Sequence, residues 1–157
     1  MIADIRIDKD GVWYYRGMEM IRKDIVQHLY RHIKRSQDGR FLIEISEDQA
    51  YLDVEDTPYV IKSVAFAFQA DKGGDLITLK MPDDSWDELD PATLRVGADN
   101  TFYGMARGLG FEVRFSRASY YELAKHIEYE AGTDKYYVCL NNHHYYIERT
   151  DARPETA

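Results

Sequence analysis

The sequence predicts an α+β fold in which mostly antiparallel sheets carry two main helices. Three observations lead to this prediction. Apolar and polar residues alternate along most of the 157-residue chain, which is the pattern of strands. Apolar residues recur every three or four positions in only two segments, which is the pattern of a helix. Short turn sequences join one strand to the next, so the strands should pair as hairpins rather than in parallel βαβ units.

The chain begins with a predicted strand, a turn and a second strand. Ile2, Ile5 and Ile7 lead into a turn at residues 8–11, where Gly11 would supply the positive φ that a tight turn requires. The second strand follows directly after this glycine.

An amphipathic helix of about three turns is predicted next. Its apolar positions recur every four residues, at Ile21, Ile25, Leu29 and Ile33. The stop signal Asp38-Gly39 places the end of this helix near Ser36.

Strands dominate the middle of the chain. They are predicted at residues 41–45, 50–54, 59–68 and 76–81. Pro58 breaks the chain before the third of them, because proline has no amide proton to donate. The glycine-rich turn at 71–75 should join the last two as a hairpin. The acidic segment 82–91, with Trp86 at its centre, is predicted to be a loop.

The last third combines strands with the second helix. Short strands are predicted at 94–96, 101–106 and 111–115. Ser116 can cap a helix that runs from Arg117 to about Glu130. A final hairpin should pair residues 136–140 with 143–147 across Asn141-Asn142.

The helix-plus-strands pattern occurs twice, which bears on domain organisation. We expect residues 1–150 to form a single α+β domain, with two interleaved modules of about 1–58 and 59–150 as an alternative. The polar tail at 151–157 should be disordered.

Charge and cysteine content exclude several function classes. The net charge of −8 argues against sequence-independent nucleic-acid binding and against docking on an anionic membrane. Cys139 is the only cysteine, so no internal disulfide can form, and we expect its thiol to be buried and inert. Because the chain has neither signal-peptide features nor an apolar span, the sequence predicts a cytoplasmic protein.

Histidine spacing raises two chemical hypotheses. Asp24, His28 and His32 lie four residues apart, and a helix would bring them to one face, where they could hold a transition metal. A solvated helix edge explains the same spacing, and we expect no metal or other cofactor. His143 and His144 should point to opposite faces of a strand, so one could meet His126 or a carboxylate as an acid–base pair.

The tyrosines are the unusual feature of the composition, because there are 13 of them and eight form doublets. The doublets are Tyr14-Tyr15, Tyr120-Tyr121, Tyr136-Tyr137 and Tyr145-Tyr146. A strand turns one ring of a doublet to each of its faces. Exposed tyrosines on adjacent strands would then form an aromatic surface for self-association or for a ligand. Core and cross-strand pairing is the alternative.

Several segments, taken in order, resemble a known family. They are residues 5–8, residues 10–15, the run Val54-Glu55-Asp56-Thr57-Pro58-Tyr59, and residues 117–123. Together they resemble a bacterial domain-of-unknown-function family, number 1285, from about residue 5 to about residue 147. The family usually has Ala-Pro-Phe where this chain has Thr57-Pro58-Tyr59.

The resemblance implies an α+β fold of two intertwined small modules, one of them similar to a pleckstrin-homology-like barrel. It implies a signalling or small-ligand-binding role. The family has no assigned activity, so the resemblance implies no catalytic residues.

Our first hypothesis is a non-enzymatic bacterial module that senses a small molecule or a protein partner. Its candidate ligand-binding residues are Trp13, Arg22, Glu55, Asp56, Tyr59, Arg117 and Tyr121. Glu55 and Asp56 should also cap a turn and pair with Arg22. One alternative is a homodimeric interaction module joined through its tyrosine strands, and another is an acid–base enzyme that uses histidine and carboxylate. We expect neither a nucleic acid nor a membrane as partner.

Overall fold

The computed structural model describes residues 4–151, apart from the side chain of Lys72. The chain divides into two compact units, and the boundary lies within β7 (Val60–Ile61), which is described with unit 2. Ile2 of the first predicted strand and residues 152–157 of the predicted tail lie outside the described residues.

The described residues of unit 1 form a six-stranded sheet and one helix. The elements are β1 (Ile5–Ile7), β2 (Trp13–Tyr15), β3 (Met18–Glu19), α1 (Lys23–Tyr30), β4 (Ile33–Arg35), β5 (Phe41–Ile45) and β6 (Asp48–Val54). The strand order is β3-β2-β1-β6-β5-β4, and β1 with β6 is the parallel pair. The predicted first turn is confirmed, with Gly11 at φ +85°.

Three aromatic rings form the centre of unit 1. The rings of Trp13 and Tyr30 meet edge to face with centroids 4.9 Å apart, and those of Tyr30 and Tyr59 lie 5.0 Å apart. The Tyr59 hydroxyl donates to the Tyr30 carbonyl at 2.7 Å. All three side chains are buried, so aromatic packing ties α1 to the sheet of this unit.

The predicted extent of the first helix is wrong. The helix ends at Tyr30, and Ile33 lies in β4, opposite Ile43 of β5. A β-branched residue packs well against a cross-strand neighbour. Ile33 therefore lies in the sheet, although its position fits the four-residue spacing of the helix. Ile21 precedes the helix and is exposed.

The described residues of unit 2 hold a seven-stranded sheet, a three-stranded sheet and one α-helix. The elements are β7 (Val60–Ile61), β8 (Ser63–Gln69), β9 (Gly74–Lys80), β10 (Trp86–Val96), β11 (Phe102–Ala106), β12 (Glu112–Phe115), α2 (Arg117–Ala124), β13 (Ile127–Glu130), β14 (Lys135–Leu140), β15 (His143–Tyr146) and β16 (Glu148–Arg149). The larger sheet runs β7-β12-β11-β10-β9-β8, with β16 beside β10, and the smaller runs β13-β14-β15. The predicted hairpin of β8 and β9 is confirmed.

The acidic segment 82–91 is a loop only in its first part: residues 82–85 lie outside the strands, as predicted, but from Trp86 the segment forms the start of the longest strand among the described residues. Trp86 of β10 pairs with Lys80 of β9, and the strand continues to Val96. Its register against β11 shifts beyond Asp90, next to Pro91, which has no amide proton for the ladder. The Thr93 hydroxyl fills the gap, because it accepts from the Met105 amide at 2.8 Å.

The second helix is also shorter than predicted. The Ser116 hydroxyl caps it by accepting from the Ser119 amide at 3.2 Å, as expected. It ends at Ala124, however, and residues 127–130 form β13. The alternation of Ile127 and Tyr129 with glutamates has a period of two and favours the strand.

The final hairpin is confirmed, but the prediction that Cys139 is buried is wrong. Val138 and Leu140 take the inward face of β14, which leaves the Cys139 thiol exposed. Asn141 and Asn142 form the turn with φ of 53° and 63°. The Asn141 side chain then bonds both backbone groups of Asp75, accepting from its amide at 2.7 Å and donating to its carbonyl at 2.9 Å.

A buried ion pair links the strands of the larger sheet. Arg95 on β10 donates from Nε and Nη2 to the two carboxylate oxygens of Glu112 on β12, both at 2.7 Å. The guanidinium also lies 4.2 Å from the centroid of the Tyr103 ring and donates to the Thr150 carbonyl at 2.9 Å. Both charged side chains are buried.

The α+β class with mostly antiparallel sheets and two main helices is therefore confirmed. The pleckstrin-homology-like module and the single-domain organisation stay predictions. Neither helix among residues 4–151 has the length and the apolar character that crossing a bilayer requires.

Replacing Arg95 with methionine should strongly destabilise the protein. The substitution leaves the Glu112 carboxylate buried without its counter-ion, which costs about 3–5 kcal/mol in such cases. Urea unfolding followed by circular dichroism measures this loss. The double variant Arg95→Met with Glu112→Leu should recover most of it, since no buried charge remains. A free energy of unfolding of Arg95→Met within about 1 kcal/mol of the wild-type value would contradict the importance of this ion pair for stability.

Candidate functional site

An open cleft in unit 2 brings together five aromatic residues from the later part of the chain. Its volume is about 880 Å³. We call it the tyrosine cleft, and it is lined by Val96, Asn100, Phe102, Tyr120, Ala124, Ile127, Tyr129, Asp134, Lys135, Tyr136, Tyr146, Ile147, Glu148 and Arg149.

Two ring pairs form the aromatic walls of the tyrosine cleft. Phe102 of β11 and Tyr120 of α2 lie with centroids 4.7 Å apart. Tyr129 and Tyr136 lie 5.2 Å apart, because β13 and β14 place them directly opposite each other. These two tyrosines are more than half exposed, so their ring faces are available to a ligand.

The termini of neighbouring elements supply the polar part of the cleft. The turn before β14 carries Asp134, and β14 begins with Lys135. Glu148 and Arg149 form β16, which pairs in parallel with β10 at Arg95. The cleft therefore has charged groups of both signs beside its rings.

Tyrosine hydroxyls in the cleft are engaged by carboxylates. The Tyr129 hydroxyl donates to Asp134, and the Tyr146 hydroxyl donates to Glu130 at 2.7 Å. Each carboxylate bond raises the pKa of its phenol, because a protonated phenol is the form that can donate. Both hydroxyls therefore stay neutral, and their rings are held in place.

Glu130 receives further support behind Tyr146. Its carboxylate accepts from the Thr133 hydroxyl at 2.6 Å as well as from the Tyr146 hydroxyl. Both hydrogen bonds lower the pKa of Glu130, and the bond from Thr133 has the larger effect. His144 Nδ1 lies 4.0 Å from the same carboxylate. The His144 ring stacks on Tyr137 with centroids 4.0 Å apart.

The candidate ligand residues Trp13 and Tyr59 are structural in unit 1. Both are buried against Tyr30, where a ligand outside the core could not reach them. The Nε1–H of Trp13 has no hydrogen-bond acceptor among the described residues.

Arg22 does not pair with Glu55 or Asp56, so that prediction is wrong. Arg22 binds Asp24 with its Nη2 atom 2.8 Å from Oδ2. Glu55 instead accepts from Arg6 at 3.1 Å and from the Lys9 amide at 3.2 Å.

Asp56 lines a separate open cavity of about 720 Å³ within unit 1. Arg6 and Arg40 line the same cavity, and the Arg40 guanidinium lies 3.6 Å from the centroid of the Tyr51 ring. Arg40 already stacks on Tyr51, so this ring is less available to a ligand than the rings of the tyrosine cleft.

The last two candidate residues, Arg117 and Tyr121, lie on α2 in unit 2. Both are exposed. Tyr121 packs edge to face against Tyr120 of the tyrosine cleft, with ring centroids 5.3 Å apart. Tyr121 therefore supports a wall of the cleft from the side.

The proposed histidine chemistry finds little geometric support. The rings of His28 and His32 are 4.8 Å apart, but Asp24 is bound to Arg22. Across residues 4–151, no group of three or more metal-ligating side chains is close enough to hold an ion. His126 stacks on Phe66 with centroids 3.7 Å apart.

Sequence reasoning selected part of the tyrosine cleft and missed the rest. The tyrosine doublets indicated an aromatic surface, and Tyr120, Tyr136 and Tyr146 come from three of them. Phe102 and Arg149 carried no pattern that separates them from core and surface residues. The period of two at residues 127–130 was the signal that could have placed Tyr129 on a strand.

The fold and the site together define an α+β protein with antiparallel sheets and an open aromatic cleft. Two solved structures are similar to it. A DUF1285 family protein from Silicibacter pomeroyi matches 93% of this chain and 79% of its own, with a TM-score of 0.73 and 22% identity. A second DUF1285 family protein, from Shewanella baltica, matches 79% of this chain and 92% of its own, with a TM-score of 0.62 and 17% identity.

At 22% and 17% sequence identity, the similarity to these two structures shows that this chain has the same fold. The resemblance to domain-of-unknown-function family 1285 that the sequence indicated is thereby confirmed. No protein-family model and no curated protein matches the chain.

Replacing Glu130 with glutamine should lower the pKa of Tyr146 toward about 10, the ordinary value of a phenol. The carboxylate that favours the protonated phenol is then gone. NMR titration of the tyrosine ring carbons measures the pKa. Glu128→Gln, on the same strand, is the control and should leave the pKa of Tyr146 unchanged. If both variants lower the pKa equally, the hydrogen bond between Tyr146 and Glu130 is not its specific cause.

The raised pKa of Tyr146 also predicts the sign of the pH dependence of stability. Its contribution to folding is fully present below about pH 10, the unfolded pKa, and is lost as the pH rises through the folded pKa.

Proposed function

We propose that this protein is a non-enzymatic small-ligand-binding module and that the tyrosine cleft is its binding site. The observation that supports the proposal is the cleft itself, with a volume of about 880 Å³ and walls of aromatic rings. Binding sites for small molecules are usually clefts of roughly 300–1,000 Å³ with mostly apolar walls and a few polar groups.

The walls suit a ligand with a flat apolar part. The rings of Phe102 and Tyr120 meet at 45°, and those of Tyr129 and Tyr136 meet at 53°. Tilted pairs of this kind leave ring faces and edges to which a planar or aliphatic group can bind. The burial of such a group supplies most of the binding free energy.

Polar groups at the cleft would provide specificity. Asp134 holds Tyr129, and Glu130 holds Tyr146, so these rings lose little conformational entropy when a ligand binds. Preorganised side chains lower the cost of association. Lys135 and Arg149 add donors for a polar part of the ligand.

A homodimer is the second candidate function. Tyr129, Tyr136 and Tyr146 are exposed on neighbouring strands, and exposed tyrosines are enriched where proteins associate. The concave lining favours the small ligand, since a flat aromatic patch would suit a second copy better. In either case the net charge of −8 supports a partner other than nucleic acid or an anionic membrane.

The acid–base enzyme has weaker support. His144 and Glu130 are 4.0 Å apart, and both are partly exposed. The pKa of Glu130 is lowered, whereas a carboxylate that exchanges protons near neutral pH requires a raised pKa.

Replacing Tyr136 with leucine should weaken ligand binding about 5- to 150-fold, because stacking on a ring and its buried area contribute about 1–3 kcal/mol. The measurement has two parts. Native mass spectrometry of the freshly purified full chain looks for a co-purified ligand. NMR then screens a small-molecule fragment library against the wild type, with tyrosine ring signals as the readout.

Tyr15→Leu is the matched control, because Tyr15 is an exposed strand tyrosine outside the tyrosine cleft. It should keep wild-type binding. If no co-purified ligand is found and no fragment shifts the ring signals of the cleft, the small-ligand proposal is wrong. A dimer in sedimentation velocity that Tyr136→Leu dissociates would establish the second candidate instead.

A further inference from the structure

We propose that the tyrosine cleft selects an organic cation, specifically a quaternary or methylated ammonium group attached to an aromatic ring. This inference rests on the proposed function and deepens it by naming the chemical class of the ligand. Three features of the cleft lead to it.

The first feature is the electronic character of the rings. The face of an aromatic ring carries partial negative charge and attracts cations. The Tyr129 hydroxyl donates a hydrogen bond to Asp134, and the Tyr146 hydroxyl donates a hydrogen bond to Glu130. A phenol that donates to an anion gains electron density on its oxygen and ring, so these two faces attract a cation more strongly than a free tyrosine does.

The second feature is the negative charge at the hydroxyl ends of two rings. The carboxylates of Asp134 and Glu130 accept hydrogen bonds from ring hydroxyls, and Glu148 also lines the cleft. A cation over the rings would therefore lie in the field of several carboxylates. These three carboxylates outnumber the two cationic side chains of the cleft, Lys135 and Arg149, so the balance of charge favours a cation over an anion.

The third feature is a cation that the chain itself supplies. The ammonium group of Lys135 lies 5.7 Å from the centroid of the Tyr146 ring, within the range of a cation–π interaction. One ring of the cleft thus already attracts a positive charge. A ligand cation would compete with Lys135 for this ring, and Lys135 can move away because its side chain is exposed and flexible.

The size of the cleft indicates what the ammonium group is attached to. A volume of about 880 Å³ is much larger than one methylated ammonium group. The Phe102 and Tyr120 rings border the same cleft and would stack with an aromatic group of the ligand. The geometry therefore favours an aryl ammonium ion over a small aliphatic one.

Two probes of equal shape test the inference on the full-length protein. The cation is 4-hydroxyphenyltrimethylammonium, and its uncharged counterpart is 4-tert-butylphenol. Both are titrated at pH 7 while NMR follows the tyrosine ring signals. The cation should bind about tenfold more tightly than the neutral probe, which corresponds to one favourable cation–π site with nearby carboxylates.

Two variants locate the effect. Tyr146→Leu removes the ring and keeps apolar volume, so it should abolish the preference for the cation while the neutral probe binds as before. Lys135→Met removes the competing ammonium group and should tighten binding of the cation at least threefold. Lys34→Met changes an exposed strand lysine outside the cleft and should leave both affinities unchanged.

The outcomes separate the two proposals. A cation preference that Tyr146→Leu removes supports the inference. Equal binding of both probes at the cleft overturns the cation assignment and leaves the small-ligand function in place. If neither probe nor any library fragment shifts the ring signals, both proposals fail.

Discussion

Burying the Arg95 guanidinium and the Glu112 carboxylate takes two full charges out of water, which costs several kcal/mol for each ion. Their two parallel hydrogen bonds of 2.7 Å offset that cost only when β10 and β12 lie at one separation across β11. The same guanidinium holds the Thr150 carbonyl, directly after β16. The ion pair thereby fixes the strand that brings Glu148 and Arg149 to the tyrosine cleft.

Local patterns in the sequence were sufficient for most strands but not for the ends of the helices. The β8–β9 hairpin and the Asn141-Asn142 turn followed from alternation and turn residues alone. Ile33 and Ile127 satisfied a helical spacing and nevertheless joined strands, because the next strand along the chain offered each an apolar cross-strand partner, Ile43 and Val138 respectively. The acidic start of β10 looked like a loop, since its carboxylates are bound by groups such as the Gly108 amide and Arg107, which local sequence cannot show.

The candidate site was predictable only through the tyrosine doublets. A doublet reveals that one ring faces outward, but the doublet does not say which strand lies beside it. The sequence chemistry of Trp13 and Tyr59 suits a ligand site, yet both side chains pack on Tyr30 in the core of unit 1. Phe102 reaches the cleft through sheet pairing and Tyr120 through helix packing. Their meeting is a property of the fold rather than of any short segment.

The contact between Asn141 and β9 has an evolutionary consequence. A Cβ atom on Gly74 would lie 2.3 Å from the Asn141 side-chain oxygen, and the glycine also has a φ of +119°. A side chain at position 74 is therefore compatible with neither its own backbone nor the asparagine that bonds Asp75. In homologous chains the two positions should coevolve, so that glycine and asparagine are retained together or replaced together, and this covariation would mark proteins that hold the final hairpin in the same way.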